Sequence, residues 1–262
     1  GLLGADLIGF HTYDYARYFN SSVKRLLGHE VEFNKINLGH RQVYVDVFPM
    51  GIDYEKFYSK SIEIINRPIH ERSKEQLNID RFLNESPHRK LILSIDRLDY
   101  TKGIPERLKA FRYFLKTYPE YKEKVSLIMV TVPSREDVEH YQNLRSEVDE
   151  LVGSINGELR SINWNPIIYF YRSLPFNQLI ELYSSAEVAL LTPLRDGMNL
   201  VAKEFIATKI NLNGVLILSE MAGATKELGE AISVNPNNMM DVSDALLSVS
   251  SQTWSDGYTT RM

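Results

Sequence analysis

From residue 90 onwards, continuous apolar segments alternate with helical segments, and this alternation restricts the fold more than any other feature. Strands that are apolar on both faces are typical of a parallel sheet covered by helices on each side. We therefore predict an α/β domain of the doubly wound type, in which ligands bind at the carboxyl ends of the strands. The predicted strands are 90–95, 125–132, 167–171, 187–191, 214–219 and 231–236, and the predicted helices are 104–115, 136–155, 176–185, one opened by Gly197, 223–228 and 240–249.

The residues before this series follow a different pattern. Strands are predicted at 7–11 and 43–49, and residues 30–42 are interpreted as a loop or a hairpin. Residues 54–89 are polar and only weakly periodic, so we expect a helix-like stretch and a loop there. A Pro-Met-Gly turn places a domain junction near 49–53. We therefore divide the chain into 1–50, 51–250 and a polar tail at 251–262, which we expect to be poorly ordered.

Composition excludes several classes of function. A net charge of −4 and a pI near 5.9 argue against general attraction to nucleic acid or to anionic membranes. The absence of cysteine excludes disulfides and thiolate metal sites and fits a cytoplasmic protein. No apolar stretch approaches the roughly 20 residues of a membrane span. Because the chain starts with Gly1 and lacks the pattern of a signal peptide, we expect a fragment of a longer protein.

The segment Arg195 to Glu204 follows the predicted strand 187–191 and opens a predicted helix. Gly197 lets the backbone approach a ligand closely, because no Cβ stands in the way. The first turn of a helix offers unpaired N–H groups and a partial positive charge to an anion. The segment is therefore a candidate site for a nucleotide or a sugar phosphate.

Cations follow two other predicted strands. Arg97 and Lys102 lie after the strand 90–95, in a segment that leads into a helix, and they could converge on a diphosphate. Arg135 follows the strand 125–132 and could hold a phosphate. Read singly, each is better explained as a solvated, capping or surface-pairing residue. Together with the segment after 187–191 they point to one edge of one sheet, which favours a nucleotide or nucleotide-sugar site.

Two long motifs, Ser94 to Gly103 and Arg195 to Glu204, closely resemble those of the trehalose-6-phosphate synthases of glycosyltransferase family 20. Three shorter segments resemble the same family, and the resemblance runs in family order from residue 1 to about 250. It implies the two-Rossmann-domain (GT-B) fold, with 1–50 as the end of an amino-terminal, acceptor-side domain and 51–250 as the UDP-glucose-binding domain. The implied activity is transfer of glucose from UDP-glucose to glucose 6-phosphate with retention, in trehalose biosynthesis. The shorter segments are Asp6 to Thr12, Pro133 to Arg135 and Leu218 to Ala224.

The resemblance also implies roles for individual residues. Arg97 and Lys102 match the cations on the donor diphosphate, where they would offset the charge that develops on departing UDP. Asp196 matches the acidic residue at the donor glucose hydroxyls, and these three residues are the implied catalytic set. Arg135 matches the residue that contacts the phosphate of the acceptor. The other implied donor-binding residues are Leu174 and Leu179, whose backbone is expected to contact the uracil, Gly197, Met198, Asn199, Leu200 and Val201 along the sugar and phosphates, and Glu204 at the ribose hydroxyls.

The resemblance implies no metal cofactor, and the dispersed histidines show no metal-ligand spacing. The implied small-molecule partners are UDP-glucose and glucose 6-phosphate. A homo-oligomer and a trehalose-phosphate phosphatase partner or fused domain stay open as protein partners. Since most of the acceptor-side domain is absent, we expect the fragment alone to be inactive. The alternative hypotheses are a non-catalytic regulatory homologue that binds sugar phosphate or partner proteins, and another GT-B transferase.

Overall fold

The computed structural model describes residues 1–85, 89–135 and 137–251. The chain separates into two compact units, Gly1–Gly51 and a second that begins at Ile52. Apart from Ser251, the predicted tail at 251–262 lies outside the described residues. No helix in the described ranges has the length and apolar character needed to cross a membrane.

The first unit is a small α/β structure built on a four-stranded sheet. Its strand order is β1-β4-β3-β2, with β1 parallel to β4 and the remaining pairs antiparallel. The hairpin interpretation of residues 30–42 is confirmed, because β2 and β3 pair with each other. A 3₁₀ turn at Leu2–Gly4 precedes the sheet. The elements are β1 (Leu7–Phe10), α1 (Tyr13–Ser22) with a π-helical turn (Val23–Leu27), β2 (Glu30–Glu32), β3 (Lys35–Asn37) and β4 (Gln42–Val47).

The second unit contains six parallel strands, which confirms the predicted α/β sheet. Their order is β10-β9-β8-β5-β6-β7, so the chain starts in the middle of the sheet at β5, extends to one edge and then to the other. The topological switch point therefore lies between β5 and β8, and ligands bind at such a point in doubly wound sheets. The strands are β5 (Lys90–Arg97), β6 (Val125–Val132), β7 (Ile167–Tyr171), β8 (Val188–Leu191), β9 (Val215–Ser219) and β10 (Ile232–Val234).

Helices cover both faces of this sheet. Alternate residues of the central strand face opposite cores, because Ile92 belongs to one buried cluster and Leu91 and Leu93 belong to the other. Helices α4, α5 and α8 pack on the first face, and α2, α3, α6 and α7 pack on the second. The helices are α2 (Tyr54–Ile65), α3 (Lys74–Asn84), α4 (Ile104–Thr117), α5 (Glu139–Leu159), α6 (Phe176–Ser185), α7 (Leu200–Ala207) and α8 (Met239–Ser251).

Several predicted elements differ from the observed ones, and the helix expected at 136–155 is Glu139–Leu159. The polar segment 54–89 contains two helices, each begun by a side-chain cap: Asp53 accepts from the Lys56 amide, and Ser73 accepts from the Gln76 amide. The helix expected to open at Gly197 begins at Leu200. The short helix expected at 223–228 is a 3₁₀ turn at Gly223–Lys226.

Candidate functional site

The loop after β5 is held in a fixed shape against the end of β8. Asp99 Oδ1 accepts hydrogen bonds from Thr101 N at 2.9 Å and Thr101 Oγ1 at 2.7 Å, which shapes the 3₁₀ turn Tyr100–Lys102. Burial alone would raise the pKa of Asp99, but the hydrogen bonds from Thr101 hold that pKa below its ordinary value. Gly103 then takes a φ of +60°, and an added Cβ would lie 2.8 Å from Thr192 O. Glycine is therefore required by both conformation and space.

The segment after β8 is anchored on two sides. Arg195 N donates to Thr101 O at 3.1 Å, which joins it to the loop after β5. Asp196 N donates to Met221 O at 3.2 Å, and Asp196 O accepts from Gly223 N at 3.1 Å, which joins it to the loop after β9. The backbone of Asp196 is thus fixed between the carboxyl ends of neighbouring strands.

Asn199 forms the start of α7. Its backbone is left-handed, with a φ of +75°, and its Oδ1 accepts from Ala202 N at 3.1 Å. Its Nδ2 donates to Asp196 Oδ2 at 3.2 Å, and Met198 N donates to Asp196 Oδ1 at 3.3 Å. Asn199 and Met198 are buried, whereas Gly197 is partly exposed. The expected Gly-opened helix is therefore an Asn-capped helix that begins three residues after Gly197.

Lys102 and Asp196 form an ion pair across the switch point. Lys102 Nζ lies 2.5 Å from Asp196 Oδ2 and 4.0 Å from Asp96 Oδ1. The two side chains are only 15% and 13% exposed, so water screens their attraction less than at an open surface. Arg97 is the last residue of β5 and is exposed. Sequence reasoning placed Arg97 and Lys102 together, but it did not predict that Lys102 faces the carboxylate after β8.

A fully buried cation, Arg107 of α4, lies next to this pair. Its guanidinium donates to Asp96 Oδ2 at 2.6 Å, Thr192 Oγ1 at 2.9 Å and Lys102 O at 2.9 Å, and to the hydroxyl of Ser94. Burial raises the pKa of Asp96, and the charges of Arg107 and Lys102 oppose that shift. The site thus rests on a buried charged network that joins β5, the end of β8 and the Lys102 turn.

Glu204 lies one turn into α7 and is partly buried. Its Oε2 accepts a hydrogen bond from Tyr183 Oη of α6 at 2.7 Å. Burial raises the pKa of Tyr183 well above its usual value, and the neighbouring Glu204 raises it further, so the phenol stays protonated and continues to donate. Leu200 and Val201, in the first turn of α7, are partly buried.

Arg135 lies after β6 in a strained conformation. Its φ is +48°, and its side chain is exposed. Arg135 Nη1 donates to Tyr141 Oη at 3.3 Å, and Tyr141 Oη donates to Asp99 Oδ2 at 3.1 Å. Arg135 is therefore linked through Tyr141 to the loop that carries Lys102.

Leu174 lies in the segment before α6, and Leu179 lies in the first turn of that helix. Leu174 lines a cavity of about 460 Å³ between α3, α6 and the sheet, with walls that include Phe82, Ile128 and Phe170. Leu179 is partly buried, and its amide donates within the helix to Pro175 O at 3.0 Å. The amide of Leu179 is therefore already used within the helix, so it is not free for the backbone contact expected there.

Sequence reasoning missed Arg107, Asp96 and Tyr183 as parts of this network. A signal for Arg107 was present, since it falls within the apolar stripe of α4 formed by Ile104, Leu108 and Phe111. A charged residue in such a stripe is buried, and a buried charge requires partners. Tyr183 carried no such signal, because its partner Glu204 lies on another helix.

The arrangement suits an anionic ligand that also carries hydroxyl groups. Lys102 and Arg97 supply positive charge, the start of α7 supplies amides, and Asp196 and Glu204 supply hydroxyl acceptors. Within the described part of the chain, no three His, Asp or Glu side chains are grouped as a metal site would need.

Comparison with known proteins identifies the family. The sequence model of glycosyltransferase family 20 matches residues 1–253. A curated relative, the bifunctional trehalose-6-phosphate synthase/phosphatase of Thermoproteus tenax, is 49% identical over 94% of this chain and 32% of its own length. This chain therefore spans about a third of that relative.

Solved structures show the same fold. A trehalose-phosphate synthase from Burkholderia xenovorans in complex with glucose-6-phosphate has a TM-score of 0.87 at 32% identity, over 95% of this chain and 54% of its own. An E. coli trehalose-6-phosphate structure bound with UDP-2-fluoro glucose has a TM-score of 0.85 at 31% identity, over 95% and 53%. The fold is thus of the GT-B type, and the chain spans about half of these structures. The chain belongs to glycosyltransferase family 20.

Proposed function

We propose that the protein carrying this chain is a UDP-forming α,α-trehalose-phosphate synthase. It transfers glucose from UDP-glucose to glucose 6-phosphate with retention, in trehalose biosynthesis. The observation that carries the proposal is the Lys102–Asp196 pair at the switch point, where a cation and a hydroxyl acceptor stand beside the start of α7. Membership of family 20 and the similarity to structures with donor analogue and acceptor support this assignment.

Lys102 and Arg97 bind the donor diphosphate. Because Lys102 Nζ lies 2.5 Å from Asp196 Oδ2, the arriving phosphate oxygens compete with Asp196 for this ammonium group. Once the phosphate is bound, the two cations offset the negative charge that grows on departing UDP. We propose that they perform this task without a metal ion.

Asp196 accepts hydrogen bonds from the hydroxyls of the donor glucose. It keeps its orientation through Asn199 Nδ2 and the Met198 amide. The backbone from Gly197 to Val201 borders the sugar and the phosphates at the start of α7, where helix amides favour anions. Glu204 binds the ribose hydroxyls, and Tyr183 fixes one of its two oxygens by a 2.7 Å hydrogen bond.

Leu174 and Leu179 border the uracil; the amide of Leu179 donates to Pro175 O and is not available to it. Arg135 contacts the phosphate of glucose 6-phosphate. Residues 1–50 form the end of the acceptor-side domain, and 51–250 form the donor-binding domain. Since the chain spans about half of the similar synthase structures, the other acceptor groups belong to the rest of the protein.

Retention follows from a front-face reaction. The attacking hydroxyl of the acceptor and the leaving phosphate lie on the same face of the donor glucose, and no protein nucleophile takes part. The protein acts in the cytoplasm. A phosphatase, fused as the name of the T. tenax relative indicates or separate, is the protein partner that would consume its product.

The test is the reaction of the full-length protein with UDP-glucose and glucose 6-phosphate, followed by NMR of the product. We expect α,α-trehalose 6-phosphate and UDP in equal amounts, without added metal. A protein that binds UDP or sugar phosphate but forms no product would instead be the non-catalytic regulatory homologue. A different product would indicate another transferase of the GT-B type.

A further inference from the structure

Arg107 connects three separate pieces of the site. Its guanidinium donates to Asp96 and Ser94 on β5, to Thr192 Oγ1 just after β8, and to the main-chain oxygen of Lys102. The residue is 1% exposed and its side chain is fully covered. A planar guanidinium has donors in fixed directions, so these acceptors are held at fixed positions relative to one another.

Two of the segments that Arg107 connects contain the residues of the Lys102–Asp196 ion pair. The turn Tyr100–Lys102 bears Lys102, and the segment after Thr192 leads within four residues to Asp196. Two links thus fix the segment from Leu98 to Gly103 to the end of β8. One is made by Arg107, which also donates to Lys102 O, and the other is the hydrogen bond from Arg195 N to Thr101 O. Without Arg107, the Arg195 N to Thr101 O hydrogen bond would remain, but the main chain of Lys102 would lose its link to Asp96 and Thr192, which allows small shifts of the kind that matter for an ion pair.

We propose that Arg107 is a positioning residue for glucosyl transfer, which holds Lys102 at the correct distance from Asp196 and from the donor diphosphate. The inference rests on the proposed function. Arg107 is too deeply covered to touch the substrate and acts through Lys102. A misplacement of a catalytic group by about 1 Å can reduce the rate by about 10²-fold.

A purely structural role makes a different prediction. A residue that only stabilises the fold reduces activity by the same factor whether or not Lys102 is present. A residue that acts through Lys102 loses its effect once Lys102 is removed, because mutations of residues in one network are not additive. A double-mutant cycle therefore separates the two roles.

The experiment uses the full-length protein and two changes of different severity. Arg107→Lys keeps the charge next to Asp96 but loses the fork that reaches Thr192 and Lys102 O. Thr192→Val removes a single acceptor with little change of volume. Arg112→Lys is the matched control on the same helix, since Arg112 pairs with Glu158 at the surface. Each variant is made in the wild-type and Lys102→Ala backgrounds, and circular dichroism and melting temperature establish that it is folded.

We expect Arg107→Lys to lower kcat by roughly 30-fold and Thr192→Val by roughly fivefold, with the KM for glucose 6-phosphate changed less than about twofold. In the Lys102→Ala background, each change should lower kcat by less than about threefold. Equal losses in both backgrounds, or a loss as large for Arg112→Lys, would overturn the inference. A wild-type protein that makes no product and binds no UDP would refute the proposed function itself, and with it this inference.

Discussion

The two ends of strand β8 each hold a buried cation, and the two cations have different surroundings. At the carboxyl end, Arg107 binds Asp96 and the Thr192 hydroxyl and supports the partly exposed Lys102–Asp196 pair. At the amino end, the ammonium of Lys209 donates to backbone carbonyls and lies over the ring of Phe205. The carboxyl-end network leads outward to groups that a ligand can reach, and the amino-end network does not.

The Lys209 network joins the segment after α7 to the end of α6 and to Ala186, just before β8. Lys209 Nζ donates to Tyr183 O at 2.5 Å, to Ser184 O at 3.4 Å and to Ala186 O. Burial lowers the pKa of Lys209 to about 7, and the nearby carboxylate of Glu187 opposes that shift. Such a cation satisfies carbonyls at the end of α6 that would otherwise lack donors. We infer that the amino end of β8 serves stability and the carboxyl end serves function.

The largest effect is expected for Lys102→Ala in the full-length protein. Turnover should fall by roughly 10²–10³, because one charge that stabilises departing UDP is lost. Arg97→Ala should act in the same direction. Steady-state transfer assays measure the loss, with Lys109→Ala as a control that removes an exposed lysine of α4. Unchanged turnover in both Lys102→Ala and Arg97→Ala would remove these cations from the mechanism.

The second largest effect is expected for Lys209→Met, at the opposite end of β8, and it concerns stability. Loss of the donor to several buried carbonyls should destabilise the protein by about 2–3 kcal/mol, or roughly 5 °C in melting temperature. Turnover below the melting range should change less than about twofold. Calorimetry and the transfer assay measure the two quantities. A large loss of turnover in a folded Lys209→Met protein would contradict the division between the two ends.

The stability that Lys209 contributes at the amino end of β8 should also depend on pH. In the folded protein the pKa of Lys209 is lowered to about 7, whereas in the unfolded chain it is near 10.5. At a pH between these two values, the unfolded state therefore binds more protons than the folded state. The stability of wild type should therefore rise with pH relative to Lys209→Met, by up to about 1.4 kcal/mol per pH unit, and flatten below pH 7. Melting temperatures of both proteins from pH 7 to 9.5 measure the difference. A constant difference across this range would show that Lys209 stays charged in the fold.

A smaller effect is expected for Tyr183→Phe, which removes the hydrogen bond to Glu204 Oε2. The dissociation constant for UDP should rise roughly fivefold, since Glu204 would no longer be held toward the ribose. Calorimetric titration measures this change, and Tyr113→Phe on the opposite face of the sheet is the control. An unaltered dissociation constant would separate Tyr183 from nucleotide binding.

Much of the second unit could be predicted because its elements are locally encoded. The strands 125–132 and 167–171 and the helix 176–185 are confirmed at the predicted bounds, since continuous apolar runs and helical spacing mark them directly. The segment 54–89 was not resolved into α2 and α3. Their helical character depends on caps at Asp53 and Ser73 and on packing against α6, which a weakly periodic sequence does not reveal.

The sequence indicated which residues belong to the candidate site, but not which of their side chains contact one another. The strand order that brings β5 next to β8 is a tertiary property, so the contact between Lys102 and Asp196, 94 residues apart, could not be read from spacing. The hydrogen bond between Tyr183 and Glu204 could not be predicted either, because it joins two helices whose packing is a tertiary property. The roles of all the site residues in binding and catalysis, Lys102, Asp196 and Glu204 included, stay predictions.

The most direct test of the account is calorimetric titration of UDP into three full-length proteins: wild type, Lys102→Ala and Lys209→Met. The site at the carboxyl end of β8 predicts that Lys102→Ala weakens UDP binding by at least about tenfold, while Lys209→Met binds as wild type does at a temperature where it is folded. Equal affinity in wild type and Lys102→Ala, or a loss confined to Lys209→Met, would contradict the assignment of function to the carboxyl end.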